Sequence, residues 1–323
     1  MMQRSVKRGG FTLVELMVAL AVLALLIVIL ASVIEAASRT IRISDRRIDS
    51  TSQTRLVFSC LATDLSHLIK RLDMPVTAQN AAVGATNLLC FFSGVASADP
   101  NGNAGDRNIS VIAYQVATNA NNLGPDNNPR PCLIRAGKAI PWSTTGYFGL
   151  DSTGLPISFS SASFPPTLVP QQADFDVLAQ GVIRMVIGFQ LYPDNQPATL
   201  QDGTSVANAI GQVVYSPPVR PVTAYGGTPT TTGTSVVDLN RISSVVVGIV
   251  VIDQNNLQQL TAVQVASLES QFSVPTNDTL PVASWGATVN SPAALPSTVP
   301  LPARQALHVF QSFFPITPFA SHL

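Results

Sequence analysis

The sequence predicts an α+β protein: one long N-terminal helix, apolar in its first half and amphipathic in its second, packed on an antiparallel β-sheet with long loops. Three observations predict it. Residues 11–34 form an uninterrupted apolar run whose only charge is Glu15. Leu61, Leu65, Leu68 and Leu72 then recur at steps of four, three and four, which places them on one helical stripe. Beyond them, short runs of β-branched and aromatic residues alternate with segments rich in Pro, Gly, Asn and Ser, the pattern of strands and their connections.

Composition bounds the possible functions. A chain of 323 residues with 46% hydrophobic content is long enough to bury a substantial core. Its formal net charge is zero and only 11% of residues are charged, so it lacks the polycationic character that drives nonspecific nucleic-acid binding, and no nucleic-acid partner is expected. The 24 prolines and 20 glycines argue for irregular connections between strands and against a helix bundle beyond the N-terminal region.

As a helix rising about 1.5 Å per residue, the apolar run reaches roughly 36 Å, enough to cross a hydrocarbon core about 30 Å thick. It is longer than the apolar region of a secretory signal peptide. Small residues stand before it, at Gly9 and Gly10, rather than after it. Basic residues flank both ends, Arg4, Lys7 and Arg8 on one side and Arg39, Arg42, Arg46 and Arg47 on the other, so their count alone does not orient the helix. The following segment continues it, with Glu35 spaced for Arg39 and Arg42 for Asp45, and residues 38–40 are where it would break. Arg55, Asp64 and Arg71 lie off the leucine stripe, and the helix is expected to run to Leu72, ending before Pro75.

Strands are expected at 87–94, 108–117, 132–137, 181–193, 211–216 and 243–253, separated by loops at 94–107, 118–131, 138–180 and 217–235. Residues 303–316, with their aromatic cluster, add a final edge strand or a short helix, packed in the core rather than exposed to a partner.

The segment K-R-G-G-F-T-L-V-E-L, residues 7–16, resembles the type IV prepilin signal shared by pilins and the pseudopilins of type II secretion. The resemblance covers about the first 35 residues. It implies cutting by a prepilin peptidase between Gly10 and Phe11, N-methylation of Phe11, and a pilin-like fold. The resulting organisation is a leader (1–10), a transmembrane helix (11–34), an amphipathic continuation (35–74) and a β-rich globular domain (75–323). Glu15 then has a physical role: a carboxylate in lipid requires neutralisation or a partner, and in the resembling family that partner is a neighbouring subunit's N-terminal amine, which fixes the stagger between helices. Partners implied are the peptidase, other pilins or pseudopilins, and the inner membrane, crossed once with the short N-terminus cytoplasmic and the domain outside.

Retention of Glu15 and the chain's size resemble a minor, J-like or W-like subunit of a pilus or secretion pseudopilus. The Pro-rich, weakly charged loops and aromatic tail also resemble the Verru_Chthon cassette proteins, type C. The alternatives are a pilus-tip adhesin or other binding module, and a domain merely anchored in the membrane.

No residue pattern argues for an enzyme. His67, His308 and His322 are isolated, no HExxH spacing exists, and the Ser-containing loops lack a GxSxG elbow. No cofactor is expected. Asp99, Asn101, Asn103 and Asp106 alternate as calcium ligands do, and some pseudopilins bind calcium; the glycine is misplaced for an EF loop and Ser110 stands where Glu is needed, which favours a plain turn. Three cysteines cannot all pair within one chain. In an oxidising envelope the expected bridge joins Cys90 to Cys132, both on expected strands, and leaves Cys60 a buried thiol; three free thiols is the alternative.

Overall fold

The computed structural model describes residues 13–69, 76–80, 87–95, 109–139, 175–191, 198–199, 205–206, 213–215, 242–276 and 279–316. The chain divides into two units, Met1–Asp49 and Ser50–Leu323. Helix α1 (Leu13–Ser66) contributes residues to both. In the first unit its helical backbone continues through 38–40 without the break considered above; the side chains of the expected charge pairs at Arg39, Arg42 and Asp45 lie outside the described residues.

In the second unit the strands are β1 (Thr77–Gln79), β2 (Leu88–Ser93), β3 (Ser110–Leu123), β4 (Pro129–Ala139), β5 (Phe175–Gln180), β6 (Val182–Leu191), β7 (Ala198–Thr199), β8 (Ser205–Val206), β9 (Val213–Tyr215) and β10 (Ile242–Ile252). Four short helices follow, α2 (Gln254–Gln259), α3 (Ala262–Glu269), α4 (Pro281–Val289) and α5 (Leu301–Gln305), and then strand β11 (Leu307–Pro315). The expected antiparallel sheet is present, but as two main sheets and a two-stranded ribbon: β1-β2-β3-β4-β5, β11-β10-β6-β9, and β7-β8.

The leucine stripe behaves as its spacing requires. Val57, Leu61, Leu65 and Leu68 are buried in one cluster with Leu89, Phe91, Ile112 and Leu133 of the first sheet and Met185, Ile187, Val247 and Ile249 of the second. The other face of the second sheet is also covered: Val246, Val250 and Ile252 pack with Leu257, Leu260, Leu268, Phe272 and Trp285 of the helical segment. Burial on both faces is why β6 and β10 read VIRMVIGFQL and ISSVVVGIVVI, near-continuous apolar runs rather than an alternation.

Several expectations are corrected. Helix α1 ends at Ser66, not Leu72, because the chain is captured by the edge of β2: Leu68 bridges Ser93, the Ile69 N–H donates to Phe92 O at 2.9 Å, and the Gly94 N–H donates to His67 O at 2.8 Å. Leu72 and Pro75 lie outside the described residues. The supposed loop 118–131 is mostly strand, since pairing with β4 carries the Asn-rich end of β3 out to Leu123 across a register shift. Strand β5, inside the supposed loop 138–180, was not anticipated. Nor were the four helices between β10 and β11, so the region after residue 75 is mixed rather than β-rich throughout. Residues 303–316 supply both the end of α5 and an edge strand, with Phe314 buried in the core and Phe313 44% exposed.

Gly181 joins the two sheets. Its φ of 75° lies in the left-handed region, its N–H donates to Pro131 O of the first sheet, and its carbonyl accepts from the Ile252 N–H of the second. Asn80 makes a second tie, its side-chain amide donating to Ile187 O at 2.6 Å and accepting from the Ile187 N–H at 2.8 Å, as a paired strand residue would.

Candidate functional site

Helix α1 begins with Glu15 in its first turn. The segment Leu13–Ser38, 26 residues and about 39 Å at the helical rise, is apolar enough to cross a membrane and none of it is buried within the chain. Glu15 shares one helix face with Val18, Ala19, Val22 and Leu26, so its carboxylate lies at one end of an exposed apolar face. The expected cleavage pair, Gly10 and Phe11, lies outside the described residues.

In the second unit the most strongly organised polar cluster joins α1 to the first sheet. Asp64 is 2% exposed and accepts from Arg135 Nε at 2.8 Å and Nη2 at 2.9 Å, and from the Tyr114 hydroxyl. Tyr114 and Arg135 face each other across β3 and β4 in direct register, and the guanidinium stands 6.0 Å from the ring centroid. Burial, with the Asp64 charge beside it, pushes the Tyr114 phenol well above its usual range. The hydrogen bond to Asp64 raises Arg135 further above its own. Ser93 Oγ donates to the Asp64 backbone carbonyl at 2.9 Å, so the end of the helix is tied to the sheet through both side chain and backbone. Sequence reading placed Asp64 off the apolar stripe and missed this cluster.

A second tie sits at the β3–β4 turn. Arg130, fully buried, donates to Asp126 at 2.6 Å and to the Leu260 carbonyl, while Asp126 accepts from the Ala262 N–H at the start of α3. That backbone bond, with those from Asn128 and Arg130, holds the Asp126 carboxyl well below the usual carboxylate range. A Cβ on Gly124 would overlap the Arg130 guanidinium, so a larger residue there would have to displace the end of that side chain.

The expected Cys90–Cys132 bridge is not formed: all three cysteines are free. Strand β3 lies between the two, with Cys90 opposite Ala113 and Cys132 opposite Ala117. Two strand spacings and four residues of offset separate them by roughly 16 Å, against a limit of about 7 Å between bridged Cα atoms. Burial pushes the Cys90 thiol up to about 12 and the Cys132 thiol up to about 11. Cys60 is half-buried rather than buried. The calcium candidates Asp99, Asn101, Asn103 and Asp106 lie outside the described residues, among which no three His, Cys, Asp or Glu side chains group as metal ligands. His67 stands at the turn ending α1 and His308 on β11; His322 lies outside the described residues.

Residues 6–31 match the prokaryotic N-terminal methylation motif. The match supports a type IV prepilin-like family and points to a pilin-like protein processed by a prepilin peptidase and assembled with other pilins. The apolar helix Leu13–Ser38, most of which lies within the matched residues, is compatible with a membrane anchor. No curated protein and no solved structure matches the chain.

Proposed function

We propose that this chain is a minor pilin or pseudopilin of the J-like or W-like kind, a structural subunit rather than an enzyme. A prepilin peptidase cuts between Gly10 and Phe11, Phe11 is N-methylated, and the mature helix carries the subunit into a type IV pilus or a type II secretion-like pseudopilus with its globular domain outside the inner membrane. The observation that carries this reading is the methylation motif at residues 6–31, which includes most of the exposed 26-residue apolar helix Leu13–Ser38 with Glu15 in its first turn. A carboxylate placed there opposes simple anchoring and favours pairing with a cationic N-terminus in an adjacent subunit.

Glu15→Ala separates assembly from anchoring. It makes the helix more apolar, so membrane insertion and cleavage are expected to persist while crosslinking to partner prepilins falls severalfold at equal membrane-bound protein. Undiminished crosslinking in both Glu15→Ala and Glu15→Leu would mean that the chain is a membrane-anchored domain carrying a prepilin leader.

A further inference from the structure

We draw no further inference here: the strongest candidate, the groove of about 350 Å³ between α1 and β5 lined by Cys60, Thr63, Asp64, Arg135, Asp176 and Val177, rests on a lone cysteine beside an ion pair already described, and nothing in the structure shows what covers it.

Discussion

Asp64→Ala is expected to destabilise the globular unit by about 2–3 kcal/mol, less than the loss of a partner from a fully buried ion pair because the Arg135 side chain it leaves unpaired is 27% exposed. The loss exceeds that of a surface pair because Asp64 is 2% exposed and its one carboxylate serves three donors, two from Arg135 and one from Tyr114. Removing it leaves a guanidinium and a buried phenol without their acceptor. The measurement is a urea titration of the detergent-solubilised chain, followed by tryptophan fluorescence, to which Trp285, 1% exposed, contributes alongside Trp142. Arg135→Ala in the Asp64→Ala background is expected to cost much less than it does alone, since the charge left unpaired is then gone. Additive losses would show that the two side chains are not coupled.

Gly181→Ala is expected to cost about 3 kcal/mol in the same titration, as a non-glycine residue in the left-handed region that also meets a steric conflict. The residue sits at φ 75°, and an added Cβ would lie 2.2 Å from the Ile252 carbonyl oxygen, which is backbone and can yield only by moving β10. Relief would disturb the bonds from Gly181 N–H to Pro131 O and from Ile252 N–H to Gly181 O, which join the two sheets. Gly286→Ala is the matched control: its added Cβ meets nothing within 4 Å, and alanine favours helix, so it is expected to be neutral or slightly stabilising. Equal effects of the two substitutions would mean that Gly181 is not a strained junction.

Both sites mark where sequence reading stops. The helical stripe and most strands were legible because their periodicities are local. Asp64 stood one position before Leu65, and its burial depends on partners 50 and 71 residues away that only the β3–β4 register brings together. The second layer was not read, although a signal for it exists. The unbroken apolar runs of β6 and β10 are the pattern of strands covered on both faces, but they do not say what covers them. The covering helices are five to nine residues long, too short for a periodicity window of about 11–18 residues. Their caps were the available signal: Asp253 before α2, the Thr261 and Gln264 capping box of α3, and prolines at the starts of α4 and α5. Gly181 read as the first residue of one long strand; its role as a pivot follows from a backbone angle that glycine permits but does not announce.

The N-terminal motif at residues 6–31 was legible for the opposite reason. A leader is read by a peptidase as a short linear pattern, so the chemistry is written in consecutive residues. The central claim, that this chain is a processed prepilin-like subunit, is tested most directly by mass spectrometry of the N-terminus of protein taken from a peptidase-competent host. The account predicts a chain that starts at N-methylated Phe11 and has lost residues 1–10. A chain that still carries Met1, or any part of the leader, under those conditions would contradict it.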